Sequence, residues 1–239
     1  MQALNDTLDV VDLVEVRAGC VDLEGRLAIP DGAYGLIVFG YVGESSRETI
    51  CSRCVAQNLQ EKGLGTFVVD LLREEDRFLD FGTSLRRYVL GTLRNRFAGV
   101  VRQVRQNLDV DYLPLGCFGV GGASAPALAA AAQLTDTVDA VVAQGGRPAH
   151  AGAISERLTA PTLIIGELGD RRDPSLDRKL LKLLEGPAKH VRVEDATPTF
   201  ESSEAMVEVA DVAQDWFARY LGTQRGTSLD PKRHSATRP

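Results

Sequence analysis

The sequence predicts an α/β domain built on a mostly parallel sheet with helices on both faces. Three observations carry this expectation. Short apolar runs of strand length alternate with longer stretches of helical periodicity, the pattern of strand–helix–strand units. Several of the runs are apolar throughout, as strands covered on both faces are. At Leu113–Ala132, LPLGCFGVGGASAPALAAAA, an apolar run ends in Gly119-Val120-Gly121-Gly122, and an Ala-rich segment of strong helix propensity follows at once.

The elements follow in order. Val11–Val16 and Val21–Ile29 read as short strands, the second alternating as VDLEGRLAI, and Pro30-Asp31-Gly32 is a turn. Tyr34–Tyr41, YGLIVFGY, is a buried parallel strand. Thr49 is placed to N-cap a helix running to about Lys62, which Gly63 and Gly65 end before the strand Thr66–Leu72. Asp76–Gly82 is an acidic loop. A long helix then sets Leu85, Val89, Leu93, Phe97, Val100 and Val104 on one face. After the glycine turn and its helix, Asp139–Gln144 is a strand closed by Gly145-Gly146, and Pro161–Leu168 is a strand ending in Gly169-Asp170. A helix covers roughly Ser175–Leu184, and His190–Val193 is the last strand. The final helix carries Val209, Val212, Ala213, Trp216, Phe217 and Tyr220 at helical spacing, with Gly222 at its end. No repeat or linker divides the chain, so residues 1–222 read as one domain.

The bulk numbers narrow the classes. The chain has 239 residues, 44% hydrophobic and 25% charged, with a net charge of -6. No apolar run approaches the roughly 20 residues that span a bilayer. The opening MQALNDTLDV has no apolar core of a secretory signal, so a cytoplasmic location is expected. The segment 223–239 holds Arg225, Lys232, Arg233 and Arg238 against Asp230 and reads as a disordered basic tail, which leaves the body more acidic than the whole. An acidic body argues against nucleic acid or an anionic membrane as partner. Four cysteines, Cys20, Cys51, Cys54 and Cys117, do not make a disulfide framework in such a chain.

Strand, sharp glycine turn and helix is the layout of a nucleophile elbow, whose tip normally carries Ser, Cys or Asp. Here the tip is Gly121. On LEGRLAIPDGAYGLIVFGY, SSRETICSRCVA, LGCFGVGGASAPAL, VVAQGGRPAHAG, APTLIIGELGD and VEDATPTFE, in that order, the chain resembles the α/β-hydrolase superfamily. Within it, the chain is similar to the dienelactone hydrolase-like proteins over about residues 10–221. The resemblance implies the α/β-hydrolase fold and, in active relatives, a nucleophile, an acid and a histidine. It also implies that this triad is degenerate. Gly121 stands at the nucleophile position, and Pro198 of Asp195-Ala196-Thr197-Pro198 stands at the histidine position. The acid is matched by Asp170, with Asp173 second, and Tyr41-Val42 replaces the dipeptide that helps form an oxyanion hole. A Ser–His–Asp mechanism needs a hydroxyl whose proton can pass to an imidazole, and these positions supply neither.

Other residues offer rival chemistry. Ser124, three residues past the tip, reads as a displaced nucleophile or, preferably, as a helix-start residue bonding the backbone. Cys51 and Cys54 open a helix at redox-pair spacing, although a plain helix with buried thiols is the preferred reading. Among His150, His190 and His234, only His150 follows a strand end where sites of α/β proteins lie. Arg47 and Arg147 sit in loops expected to face the cleft, and the N–H groups of Gly121 and Gly122 at a helix start favour an anion. The expectation is therefore a non-catalytic dienelactone hydrolase-like protein with a binding, regulatory or assembly role. Tyr41, Val42, Gly121, Gly122, Arg47 and Arg147 would hold a small anionic or acyl ligand, without metal or cofactor. Homo-oligomerisation is left open. The alternatives are a carboxylic-ester or lactone hydrolase with a rearranged nucleophile, and a thiol redox protein using Cys51 and Cys54.

Overall fold

The computed structural model of the chain describes residues 12–42, 46–73, 75–76, 86–108, 110, 112–167, 174–193 and 203–222. Within them the side chains of 46–51, 86–89, 107, 153–155, 167, 174–177 and 203 are not described. The tail 223–239 lies outside the described residues.

The predicted strands form one eight-stranded sheet of order β1-β2-β4-β3-β5-β6-β7-β8. β1 (Asp12–Ala18) and β2 (Val21–Ala28) make an antiparallel hairpin, and β2 runs antiparallel to β4 (Gly65–Asp70). β3 (Leu36–Tyr41), β5 (Leu115–Val120), β6 (Ala140–Gln144), β7 (Thr162–Glu167) and β8 (Ala188–Val193) continue the sheet in parallel. The unbroken apolar runs are the central strands: every residue of β5 and β6 is buried. β2, covered on one face, alternates buried and exposed residues over most of its length.

Two helical layers cover the sheet. α2 (Arg86–Asn107), α3 (Ser124–Ala131) and α4 (Pro174–Leu183) lie on one face, where Phe97, Val101, Leu128 and Leu180 join the core of Val38, Phe67, Cys117 and Ile164. α1 (Ser46–Glu61) and α5 (Ser203–Leu221) lie on the other, where Val55, Leu59, Val209, Trp216 and Phe217 pack on Ile37, Phe39, Phe118 and Ile165. Phe39 and Phe118, neighbours on adjacent strands, stack with ring centres 4.5 Å apart. Single residues of alternating facing along each strand divide the two cores, which is why the sequence shows runs rather than stripes.

One boundary differs from the sequence expectation. α1 begins at Ser46, so Thr49 is inside the helix and is not its N-cap. Ser45 and Ser46 carry the same capping hydroxyl in sequence, and the sequence pattern does not separate them from Thr49. The other end is as expected: Gly63 adopts φ +82, past the last turn. The acidic loop after β4 is anchored where it is described. Arg96 of α2, 8% exposed, donates to the Leu71 carbonyl at 2.8 Å and to Asp76 at 2.6 Å. That guanidinium holds the Asp76 carboxyl below the usual carboxylate range.

Candidate functional site

The elbow is built by backbone. β5 ends at Val120, residues Gly121–Ala123 form a 3₁₀ turn, and α3 starts at Ser124. Gly121 at the tip adopts φ +54, a conformation that a side chain makes costly. Gly119 permits the helix to return close over its own strand: a Cβ there would stand 2.6 Å from the Ala127 methyl. The loop after β6 closes from the other side. Gly146, at φ +62, lies so near the tip that a Cβ on it would overlap the Gly121 carbonyl oxygen. Gly145-Gly146 therefore does more than end a strand, and the sequence signal for this was present only as the glycine pair.

Ser124 completes the clamp. It is fully buried, and its Oγ lies 2.8 Å from the Gln144 carbonyl oxygen, 3.1 Å from that of Gly145 and 3.2 Å from that of Gly119. A hydroxyl with one proton among three carbonyl acceptors ties the start of α3 to the end of β6. It faces no solvent-accessible site for attack on a substrate, and the backbone-bonding role is the one the geometry supports.

The residues expected to bind a ligand converge in part. A Cβ on exposed Gly122 would lie 3.2 Å from the Val42 Cβ, so the residue after the tip and the residue after β3 are neighbours. Tyr41 and Val42 are both half-buried. In an α/β-hydrolase, N–H groups at these two places form the oxyanion hole. Arg147 follows Gly146 directly and is exposed; its carbonyl accepts the His150 N–H at 2.9 Å. Gln144, at the end of β6, is 2% exposed, and its Oε1 has no hydrogen-bond partner among the described residues. Sequence reasoning passed over Gln144, because its burial beside the elbow is set by neighbouring strands. Arg47 lies in the first turn of α1, and its side chain is outside the described residues. Asp170, Asp173 and Pro198 also lie outside them.

His190 does not reach the elbow. Strand register puts His190 level with Gly119 through Ala143 and Ile164. It is nevertheless three strands away, ~14 Å at ordinary strand spacing. Its Nε2 packs against Gly166, where a Cβ would stand 2.9 Å away. His150 is exposed in the turn after β6, and His234 is outside the described residues. Cys54 is a half-buried free thiol on α1 beside buried Val55, and the Cys51 side chain is not described. Cys117 is buried in β5, where desolvation pushes its thiol far above the ordinary range and keeps it protonated. Among the described residues no group of three His, Cys, Asp or Glu is placed to hold a metal ion.

The crystal structure of a dienelactone hydrolase from Anabaena variabilis superimposes with a TM-score of 0.81 at 35% identity, covering 89% of this chain and 98% of that one. This chain belongs to the dienelactone hydrolase family. The fold also matches more distant α/β-hydrolases: a serine hydrolase without lid from Xanthomonas campestris, at TM-score 0.65 and 19% identity over 92% of this chain and 98% of that one, and an esterase domain from Rhodothermus marinus, at 0.64 and 16% over 89% and 100%. Proteins from two strains of Mycobacterium tuberculosis, named as candidate phosphoribosyl transferases, are 34% identical over 209 residues, which is 87% of this chain and 46% of theirs. The chain thus spans about half the length of the curated relatives it matches. No family model matches the sequence. Among the described residues, no helix is long and apolar enough to cross a membrane.

Proposed function

We propose that this member of the dienelactone hydrolase family is a non-catalytic binding protein that holds a small anionic or acyl ligand at its elbow. The observation that carries the reading is the contrast at Gly121. The backbone elbow is kept, at φ +54 and clamped by Gly146 and Ser124, while the tip has no side chain. Gly122 beside Val42, at a helix start, favours negative charge without needing a nucleophile. Arg147 next to the clamp adds a cation. Pro198 at the histidine position supports the same reading, since a proline has no base. The name given to the Mycobacterium tuberculosis proteins belongs to chains about twice as long, so a transferase site in them need not lie in the half matched here.

The purified chain, assayed with an activated acetate ester, is expected to show no turnover above that of an inert protein. Its melting temperature is expected to rise with inorganic phosphate or with acetate, as ligand binding to the folded state requires. Gly121→Ser alone is expected to leave it inactive, because a serine without a base stays a weak nucleophile. Ester turnover that survives purification would overturn the non-catalytic reading. A melting temperature unmoved by either anion would overturn the anion site.

A further inference from the structure

We propose that Arg96 is a positioning residue of the anion site: through Leu71 and Tyr41 its guanidinium fixes the direction of the Val42 N–H, and Asp76 holds that guanidinium in place. The proposal rests on the anion-binding reading above and adds the residues that aim one of its donors. Val42 is the first residue after β3, and Leu71 is the first after β4. The Leu71 N–H donates to the Tyr41 carbonyl at 3.0 Å, so that carbonyl points toward β4. No peptide among the described residues is cis, and a trans peptide turns its N–H opposite to its C=O. The Val42 N–H, which shares a peptide with the Tyr41 carbonyl, therefore points toward β5, where the elbow stands. Strand alternation gives the same direction. The Leu36 N–H donates to the Pro114 carbonyl at the start of β5, and Val42 lies an even number of residues further on. The ladder between β3 and β5 ends at Gly40↔Gly119, so no rung takes up the Val42 N–H. Gly122, beside Val42, lies at a helix start, where the first N–H groups have no partner inside the helix.

The direction is only as fixed as Leu71, and Leu71 is gripped from several sides. Its side chain is fully buried. The Leu71–Leu72 peptide is held at both ends: its C=O accepts from Arg96 Nη1 at 2.8 Å, and its N–H, on Leu72, donates to Asp70 Oδ1 at 2.9 Å. Asp76 places the guanidinium, accepting Nη1 at 2.6 Å and Nη2 at 3.2 Å, and also takes the Arg73 N–H at 2.9 Å. Next to Arg96 on α2, Phe97 lies so close over Gly40 that a Cβ on Gly40 would overlap its ring. Two adjacent residues of one helix thus fix the strand just before Tyr41 and the peptide next to the one that holds the Tyr41 carbonyl. Arg96 is buried with both Nη atoms engaged, so it acts through Leu71 and not on the ligand. Loss of its guanidinium leaves the Leu71 carbonyl without that donor in a buried place, which favours a shift of the segment and of the peptide it aims. Charge and geometry predict opposite signs at Asp76. By charge alone, removing a carboxylate tightens the binding of an anion. By loss of the grip on Arg96, it weakens that binding.

Amide NMR of the full chain, titrated with inorganic phosphate, tests the proposal. In the parent the Val42 and Gly122 amides are expected to shift with one midpoint. Arg96→Met should raise that midpoint roughly tenfold, the worth of one hydrogen bond to a charged group. It should also shrink the Val42 shift at saturation while Gly122 still responds, a split that general loosening of the fold does not produce. Asp76→Asn, which keeps the side-chain shape, should raise the midpoint too, and it carries the test where loss of the guanidinium unfolds the chain. A parent whose two amides ignore phosphate overturns the anion site, and this proposal with it. A parent that binds, beside a folded Arg96→Met or an Asp76→Asn chain with an unchanged or lower midpoint, overturns the positioning role alone.

Discussion

α3 and α5 each pack against the central strands, yet they are opposite kinds of helix. α3 is eight residues long, SAPALAAA, and every one of them is buried between the sheet, α2 and the turn at Pro148–Arg157. α5 is nineteen residues long, with one apolar face on the sheet and an acidic stripe outward. The first has no amphipathic pattern, since it has no solvent side; its small side chains let backbone approach backbone at the elbow. The second is amphipathic, with Phe217 and Trp216 supplying the buried bulk. The comparison teaches where this protein is intolerant. Around α3 the limiting quantity is space between main chains. Along α5 it is apolar volume on one side and charge on the other.

Breaking the comparison at its tightest point should have the largest effect. Gly146→Ala adds a methyl that overlaps the Gly121 carbonyl at a backbone angle of φ +62, so a loss of more than about 4 kcal/mol is expected, read as a shift in the denaturant midpoint. On the α5 side, Phe217→Ala empties a fully buried site beside Phe118 and should cost about 3–5 kcal/mol in the same experiment. Equal tolerance of an added methyl at Gly146 and at an exposed glycine such as Gly32 would remove the distinction between the helices.

Smaller changes sharpen it. Ser124→Ala leaves the shape of α3 but removes the hydroxyl shared by the Gln144, Gly145 and Gly119 carbonyls, for an expected loss of about 1–3 kcal/mol. Any residual ester turnover should be unchanged in that variant, because the hydroxyl is a clamp; its disappearance would return Ser124 to the nucleophile role. Smallest of all, Glu208→Lys on the outer face of α5 should change stability by no more than about 0.5 kcal/mol. Thermal melts of the parent and the variant, compared side by side, check this.

The sequence by itself determined the strands, the helices and their alternation, because burial on two faces, on one face, or on a helical stripe writes a different period into the residues. YGLIVFGY, LGCFGV and the α5 stripe were legible for that reason. It also determined that Gly121 carries no side chain at the elbow tip, since residue identity alone settles that. The start of α1 was placed about one turn late, because several hydroxyl residues in Ser45-Ser46-Arg47-Glu48-Thr49 can cap a helix and local chemistry does not rank them. Only the tertiary structure decided what holds the elbow. That Gly146 closes on the Gly121 peptide, that Ser124 bonds across to β6, that Val42 meets Gly122 and that His190 stands three strands from β5 all depend on strand order and register. These partners are separated along the chain and joined only when the sheet assembles, so no local period records them.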